Sequence, residues 1–217
     1  MLLENVVEVW AERLDPPETP ELELILTAAE LAQADRCRLP LVRRRKIVAR
    51  ARLRQILSRY LGIAPRSIEI SLGTHGKPQV KGLEFNVSHS ENLAVYAISQ
   101  QPVGIDIEYR RSLEMDSLVQ RFFAPAELAS WLRLPAEQQE LAFFRAWTMK
   151  EAYLKAIGTG LYTSLAAVVV EMDINKPSSL LATPDTGKWQ LKTLDLPDGY
   201  VGTVVISGHD HQIVMRG

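Results

Sequence analysis

The chain has 217 residues, of which 47% are hydrophobic and 24% are charged, and its formal net charge is -1 at pH 7. This composition is typical of a soluble globular protein, and no stretch approaches the roughly 18 consecutive apolar residues that would span a bilayer. The first residues, MLLENVVEVWAERL, lack the basic start and the small-residue cleavage site of a signal peptide. The lone Cys37 rules out an internal disulfide. We therefore expect a cytoplasmic protein with no membrane role.

Charge is distributed unevenly along the first quarter of the chain. Residues 1–32 contain eight acidic residues and one basic residue, whereas residues 36–54 contain nine basic residues and no acidic one. Apolar residues at helical spacing predict an amphipathic helix near residues 41–61, with Arg43, Lys46, Arg50 and Arg54 as a basic stripe. This stripe is either solvated or binds an acidic protein or a phosphorylated ligand. Nucleic acid is disfavoured, because the chain as a whole is not basic and the stripe has no interleaved aromatic residues.

The order of the predicted elements after this helix occurs twice. Period-two alternation predicts strands at residues 67–72, 83–88 and 93–99. A second long helix near residues 136–157 precedes apolar runs at residues 165–172, 188–195 and 200–207, which take the same positions as the first three strands. The pattern predicts two α+β halves that join near residues 100–104. A cleft between such halves is a common place for a ligand.

The segment VGIDIEYRR, residues 103–111, places two carboxylates close together. In a strand, Asp106 and Glu108 point to one face while Val103, Ile105 and Ile107 point to the other. On a solvent-facing strand this is ordinary alternation. Alternatively, the two acids share a cation, and Mg²⁺ suits two such oxygen ligands.

A glycine-rich turn and the end of a strand carry a second polar group. GTHGKP, residues 73–78, places Lys77 in a turn, and FNVSHS, residues 85–90, ends an apolar strand in Ser88 and His89. These residues either form the polar tip of a hairpin or bind a phosphate through an ammonium, a hydroxyl and an imidazole. A Ser-His hydrolase is disfavoured, since adjacent residues on a strand face opposite sides.

The helix segment WTMKEAYLKAIGTG, residues 147–160, has an acid in its apolar stripe. Helical periodicity places Glu151 with Phe144, Trp147 and Leu154. Glu151 is then a stray residue at the edge of the stripe, half of an ion pair with Lys155, or part of a site. Burial of its charge requires a compensating cation, which Lys155 or a metal held by Asp106 and Glu108 would supply.

Taken together, GTHGKP, FNVSHS, GIDIE and WTMKEAYLKAIGTGL resemble, in order and spacing, the 4′-phosphopantetheinyl transferases of the surfactin-synthetase-activating (Sfp) type. ADRCRLPLVRRRKIVARARLRQIL also resembles the arginine-rich N-terminal helix of this family, and FFAPAEL resembles the segment before its catalytic helix. The resemblance covers almost the whole chain. It implies an α+β pseudo-dimer of two similar halves, residues 1–102 and 103–217, with the active site in the cleft between them. It also implies a cytoplasmic enzyme, and the length suggests a monomer.

The implied activity is transfer of the 4′-phosphopantetheine arm of coenzyme A to a serine hydroxyl of an apo acyl or peptidyl carrier protein. The reaction would depend on Mg²⁺, with Mn²⁺ as an alternative, and would release adenosine 3′,5′-bisphosphate. The serine proton would pass either to Glu151 or to a metal-bound water held by Glu108 or Glu151. Neither a nucleic acid nor a membrane is expected as a partner.

The resemblance also implies site residues. Asp106, Glu108 and Glu151 correspond to the magnesium carboxylates, and Lys155 corresponds to the lysine that contacts the pyrophosphate. We therefore expect Glu151, Lys155 and Asp106 to be catalytic. The residues expected to hold coenzyme A at its nucleotide end and 3′-phosphate are Lys77, Pro78, Ser88 and His89, together with Arg36, Arg45 and Lys46.

Two other functions compete with this one. The alternative is a non-catalytic protein that binds coenzyme A or a carrier protein on the same scaffold. A degenerate binder would be expected to lose one of the three acids, yet Asp106, Glu108 and Glu151 are all present. Another magnesium-dependent phosphoryl transferase is disfavoured, because the chain lacks the G-x-x-x-x-G-K-[ST] loop that cradles nucleotide phosphates.

Overall fold

The protein is described by a computed structural model that covers residues 4–15 and 20–216. Three parts of the chain lie outside the described residues: 1–3 and 16–19 of the first predicted half, and 217 of the second. The α-helices are α1 (Pro20–Glu23), α2 (Ala28–Asp35), α3 (Pro40–Leu61), α4 (Met115–Phe122), α5 (Pro125–Trp131) and α6 (Ala136–Ile157). Within the described ranges, none of these helices is long and apolar enough to cross a membrane.

The strands form two larger sheets and two small hairpins. The strands are β1 (Val6–Arg13), β2 (Ser71–Leu72), β3 (Pro78–Gln79), β4 (Glu84–Ser90), β5 (Leu93–Ser99), β6 (Val103–Tyr109), β7 (Val169–Val170), β8 (Leu180–Ala182), β9 (Trp189–Thr193), β10 (Tyr200–Ser207) and β11 (Gln212–Arg216). The first sheet has the order β11-β1-β5-β4 and the second has the order β6-β10-β9. β11 pairs in parallel with β1, so the first sheet contains strands from both ends of the chain.

Alternation along the strands divides the core into layers. On β5, Ala94, Tyr96 and Ile98 pack against α3, while Leu93, Val95 and Ala97 face the second sheet. The second sheet meets them with Val103, Ile105 and Ile107 of β6. On its other face, Val201 and Val205 pack against α6. The layers therefore run from α3 through the two sheets to α6, which confirms the predicted α+β class.

Gly104 sets the distance between α6 and β6. A methyl group on its Cα would lie 2.0 Å from the carbonyl oxygen of Ala152 and 2.3 Å from the backbone nitrogen of Ala156. Both atoms belong to the backbone of α6, so no side-chain movement would relieve the contact. Glycine in a strand interior often marks such a close approach. It allows the helix to lie directly on the strand that carries Asp106 and Glu108.

The structure confirms most of the predicted elements and corrects two of them. The helices predicted near residues 41–61 and 136–157 are α3 and α6. The strands predicted at 93–99 and 200–207 have the predicted bounds, and those predicted at 83–88 and 188–195 are present with shifted ends. The strand predicted at residues 67–72 is wrong, since Pro65–Ser67 is a 3-10 helix and within the predicted range only Ser71–Leu72 forms a strand. Likewise, residues 165–172 form the 3-10 turn Leu165–Ala167 and the short strand β7. Their apolar side chains are buried against α6, which produces an apolar run without a long strand.

Candidate active site

The candidate site lies where β4 and β6 run side by side without forming a backbone ladder. Alternate side chains of β4 accept hydrogen bonds from alternate N–H groups of β6: Asn86 Oδ1 from Ile105 (3.1 Å), Ser88 Oγ from Ile107 (3.3 Å) and Ser90 Oγ from Tyr109 (3.0 Å). These side chains satisfy the backbone donors that a neighbouring strand would otherwise pair. The two sheets thus remain separate along this line.

The serine hydroxyls of β4 also hold the two acids of β6. Ser88 Oγ donates to Asp106 Oδ1 at 2.8 Å, and Ser90 Oγ donates to Glu108 Oε2 at 3.0 Å. Asp106 is only 5% exposed, and Glu108 is half-buried. The prediction that both acids share one face is confirmed, while the solvent-facing alternative is wrong, because α6 lies on that face and Asp106 is buried.

Lys155 brings α6 into the same cluster. Its Nζ donates to Asp106 Oδ1 at 2.6 Å, to Ser88 Oγ at 3.2 Å and to the carbonyl oxygen of Ile105 at 3.3 Å. The ion pair of Lys155 is therefore formed with a strand acid 49 positions away in sequence and not with Glu151 one turn earlier. Glu151 lies half-buried in the preceding turn of α6.

Burial and neighbouring acids oppose the ionisation of Glu108 and Glu151. Burial raises the pKa of Glu108 above its ordinary value, with a further increase from the charge of Asp106 that the hydrogen bond from Ser90 opposes. Burial also raises the pKa of Glu151, and Asp106 and Glu108 add to this effect while Lys155 opposes it. A bound cation would relieve this repulsion.

The donor set fits a hard divalent cation. Asp106 Oδ2 is buried and has no hydrogen-bond partner. An unpaired buried carboxylate oxygen is costly, and oxygen donors are what Mg²⁺ prefers. Across the described residues, however, no group of three or more His, Cys, Asp or Glu side chains is close enough together to hold a metal ion as the side chains now stand. Lys155 instead supplies the positive charge next to Asp106.

A cavity of about 230 Å³ opens beside Lys155. Lys77, Pro78, His75 and Gly158 are among the residues that line it. The Lys77 ammonium does not point into open space, because its Nζ donates to the carbonyl oxygens of Val103 and Ala156, both at 3.1 Å. The His75 ring lies against that of Tyr162 with ring centroids 4.6 Å apart.

A larger cleft of about 530 Å³ contains three more of the predicted ligand-binding residues. Arg45, Lys46 and His89 line it together with Cys37 and Glu91. Desolvation lowers the pKa of the His89 imidazole, and the nearby charge of Lys155 lowers it further. An imidazole in this setting gains a proton more readily when an anion binds next to it. The fourth basic residue, Arg36, lies exposed at the C-terminal end of α2 instead of lining this cleft.

Most of the basic stripe on α3 pairs with the acidic segment that precedes it. Arg43 contacts Glu23 and Asp35 at 2.9 and 2.7 Å, Arg45 contacts Asp15 at 2.8 Å, and Arg50 and Arg54 both contact Glu30. Arg54 is only 2% exposed, so its place in an exposed stripe is wrong. Burial tends to raise the pKa of Glu30, but hydrogen bonds from Arg54, Thr27 and Arg50 outweigh this and lower it to about 2.

Several residues that shape the site were missed from the sequence. They include Asn86, a polar residue in an apolar strand, and Gly104, a small one. Asn86 could have been found from the sequence, because it alternates with Ser88 and Ser90 on one face of the strand. Lys150, next to Glu151, is fully buried and donates to Glu127 Oε2 at 2.7 Å. It also donates to the carbonyl oxygens of Leu165 (3.1 Å) and Val168. This buried pair anchors the side of α6 that faces away from the site.

Comparisons with known proteins support the sequence-based assignment. The family model described as the 4′-phosphopantetheinyl transferase superfamily matches residues 102–205, a span that includes Asp106, Glu108, Glu151 and Lys155. The 4′-phosphopantetheinyl transferase HetI of Nostoc sp. is 38% identical over 97% of this chain and 92% of its own length. The 4′-phosphopantetheinyl transferase psf-1 of Bacillus pumilus is 29% identical over 89% of this chain and 87% of its own.

The solved structure of Thermotoga maritima holo-[acyl-carrier-protein] synthase (AcpS) has 23% identity to this chain and a TM-score of 0.40. The match covers 49% of this chain and 62% of that one, and this similarity is too low to carry an argument about geometry. The fold and the buried carboxylate-lysine cluster are those of a mixed α+β enzyme. The extent of the match to HetI shows that the chain belongs to the 4′-phosphopantetheinyl transferase superfamily. The predicted family and enzyme class are confirmed.

Proposed function

We propose that this chain transfers 4′-phosphopantetheine from coenzyme A to a serine hydroxyl of an apo acyl or peptidyl carrier protein. The observation that carries the proposal is the cluster of Ser88, Asp106 and Lys155 next to Glu151, with Asp106 Oδ2 left free. Membership of the superfamily supports the reaction type. A non-catalytic binder of coenzyme A would have no need for a half-buried acid such as Glu151, whose ionisation is opposed by Asp106 and Glu108.

In this reaction the serine oxygen forms a bond to the β-phosphorus of coenzyme A. The bond from that phosphorus to the bridging oxygen breaks, and adenosine 3′,5′-bisphosphate leaves with the electron pair. Negative charge accumulates on the phosphoryl oxygens and on the departing bisphosphate. The ammonium of Lys155, at the wall of the 230 Å³ cavity, is placed to stabilise that charge.

Glu151 is the residue that we assign as the acceptor of the serine proton. Burial raises the pKa of its carboxyl group above the ordinary value, and the charges of Asp106 and Glu108 add to this effect. A group that accepts a proton must lie within reach of it, and Glu151 is one helical turn before Lys155 on α6. Ser88, whose hydroxyl donates to Asp106, is assigned to holding that carboxylate in place.

Asp106, Glu108 and Glu151 would hold a divalent cation, through Asp106 Oδ2 and the two glutamate carboxylates. When bound, Mg²⁺, or Mn²⁺ in its place, supplies positive charge to the pyrophosphate oxygens. Burial raises the pKa values of Glu108 and Glu151, and the charge of Asp106 raises them further; a cation at this position would relieve that repulsion, which supports the assignment.

The nucleotide end of coenzyme A is assigned to the two clefts that border β4, one at residues 85–87 and the other at His89. Arg45, Lys46 and His89 of the larger cleft offer two permanent cations and one titratable group for the 3′-phosphate. Pro78 and its neighbours line the smaller cleft next to Lys155. Arg36, exposed at the end of α2, contributes positive charge from outside the cleft.

The two-half organisation of the chain, residues 1–102 and 103–217, is also part of the proposal. Each half contributes one long helix packed on one sheet, and the candidate site lies where β4 of the first half meets β6 of the second. Since one chain supplies both walls, we propose that the enzyme acts as a monomer in the cytoplasm.

The decisive test uses purified protein, coenzyme A, Mg²⁺ and a panel of apo acyl and peptidyl carrier proteins. Mass spectrometry is expected to show the addition of one phosphopantetheine to at least one carrier, and no addition to the same carrier with its acceptor serine changed to alanine. If no carrier gains mass with Mg²⁺ or Mn²⁺ while calorimetry shows coenzyme A binding, the chain is the non-catalytic binder.

Lys155→Met is expected to lower kcat/KM about 100-fold, the effect typical of removing one preorganised charge-stabilising group. The variant keeps the apolar stem but loses the cation that lies 2.6 Å from Asp106 and faces the cavity. Steady-state assays at varied coenzyme A concentration measure the change. The exposed Lys192 on β9 provides a matched control as Lys192→Met. Unchanged kcat and KM in Lys155→Met would leave Lys155 as a structural partner of Asp106 only.

A further inference from the structure

Lys77 joins two elements of the candidate site from a third. It follows the turn between β2 and β3, in which the N–H of Gly73 donates to the carbonyl oxygen of Lys77 at 2.9 Å. Its side chain is 13% exposed, and its Nζ donates to the carbonyl oxygens of Val103 and Ala156, both at 3.1 Å. Val103 is the first residue of β6, and Ala156 lies in the last turn of α6.

The acceptor on α6 is one that a helix leaves unpaired. The last four carbonyl groups of an α-helix have no partner within the helix, and the C-terminal end of the helix carries a negative partial charge. The N–H of Gly158 caps Leu154, whereas the carbonyl oxygen of Ala156 accepts from Lys77. The lysine stem runs close to this turn, since a methyl group on Gly158 would lie in ordinary contact with Lys77 Cδ, at 3.4 Å. The ammonium is thus a buried cap for the C-terminal turn of α6.

The acceptor on β6 lies next to the point where the helix crosses the strand. Gly104, which allows this crossing, directly follows Val103. Two positions beyond Val103, the carbonyl oxygen of Ile105 accepts from Lys155, the neighbour of Ala156 in the helix. Two lysines therefore tie one turn of α6 to alternate carbonyl groups of β6. Only one of them, Lys155, also reaches Asp106.

Lys77 is less accessible to a phosphate group than Lys155, because its side chain is 13% exposed and that of Lys155 is 27% exposed. The acceptors around Lys77 are two backbone carbonyl groups of the helix and the strand, and the carboxylate of Glu84 lies 4.0 Å away. We propose that Lys77 is a positioning residue, which holds the last turn of α6 on the start of β6 and so orients Lys155 and Glu151 for transfer. The proposal rests on the proposed function, because the turnover that it refers to is the transfer of phosphopantetheine. It replaces the role in coenzyme A binding that the sequence resemblance implied for this side chain.

Lys77→Met is the variant that tests this role. It keeps the stem and removes the donors, and Lys77→Arg restores two donors and the charge. Lys81→Met, at an exposed lysine in the loop after β3, is the matched control. We expect Lys77→Met to lose about 10- to 100-fold in kcat, as small misplacements of catalytic groups do. Lys77→Arg should recover most of that loss. In both variants, the dissociation constant of coenzyme A from calorimetry should stay within about twofold of the wild-type value, because the variants change the orientation of catalytic groups and leave the binding of coenzyme A intact.

A second measurement does not depend on turnover. Hydrogen exchange of the backbone amides at 156–158 is expected to speed up in Lys77→Met and to stay unchanged in Lys81→Met. A role in overall stability alone would lower the melting temperature but leave kcat per folded molecule unchanged. If Lys77→Met does not fold, Lys77→Gln, which keeps a neutral donor, takes its place in both measurements.

Three outcomes would overturn the proposal. The first is a tenfold or greater weakening of coenzyme A binding with unchanged kcat, which would make Lys77 a phosphate contact. The second is a Lys77→Met variant that matches Lys81→Met in kcat and hydrogen exchange, and the third is a loss of thermal stability with unchanged kcat. An inactive wild-type protein would instead count against the proposed function, while hydrogen exchange and coenzyme A binding would still decide whether Lys77 holds the helix.

Discussion

Asp106→Asn is expected to lower turnover by at least about a thousandfold, the scale of loss for a group that organises charge in the transition state. The fold is expected to stay intact. The amide keeps one oxygen for the hydrogen bonds from Ser88 and Lys155, which are 2.8 and 2.6 Å long in the wild type. It replaces the unpaired Oδ2 by an NH₂ group and removes the negative charge. Assays of carrier modification measure the loss, and urea denaturation measures the fold.

The same variant tests a second prediction, on the pKa values of the neighbouring glutamates, which can be measured without turnover. The charge of Asp106 raises the pKa values of Glu151 and Glu108. Its removal should therefore lower both pKa values towards the ordinary value for glutamate, which NMR titration of carbon-labelled glutamate would record. Asp195→Asn, at an exposed acid, is the control for loss of one negative charge. Full activity in Asp106→Asn would remove the carboxylate cluster from the active site.

Gly104→Ala is expected to lower the free energy of unfolding by about 3 kcal/mol, near the upper end for an inserted methyl group in a packed core. The added carbon would lie 2.0 Å from the carbonyl oxygen of Ala152, so α6 must move away from β6. Because α6 carries Glu151 and Lys155, we expect kcat per folded molecule to fall as well. Urea denaturation and assays corrected for the folded fraction measure the two effects.

Gly62→Ala separates backbone strain from contact in this experiment. Gly62 has a φ of 67°, but nothing lies within 4 Å of an added methyl group. Its substitution should cost only about 1 kcal/mol, from the left-handed backbone conformation, and should leave turnover unchanged. If Gly104→Ala resembles Gly62→Ala in both stability and turnover, the close approach of α6 to β6 does not position the catalytic groups.

Local patterns in the sequence were enough for the parts of the protein that depend on periodicity. The apolar spacing of α3 and α6 and the alternation of β5, β6 and β10 follow from which side chains face the core, so these elements were predicted near their observed positions. Alternation also placed Asp106 and Glu108 on one face of a strand. The predictions for residues 67–72 and 165–172 failed, because Ile68, Leu165 and Val168 are buried apolar side chains that lie outside any strand.

The partners of the charged residues depended on the tertiary structure. Spacing within the helix suggested a pair between Glu151 and Lys155, yet Lys155 binds Asp106, because Gly104 lets α6 lie directly on β6. The basic stripe of α3 was open to several ligands, and the fold shows that Glu23, Glu30 and Asp15 neutralise much of it.

The sequence by itself determined the family, the long helices and the types of residue available for phosphate chemistry, because these depend on local order and spacing. Only the tertiary structure decided that the Lys77 ammonium binds two carbonyl groups, that Ser88 holds Asp106, and that Asp106 Oδ2 is buried without a partner. The physical reason is that hydrogen bonds and ion pairs form between groups that packing brings within about 3 Å, whatever their separation along the chain.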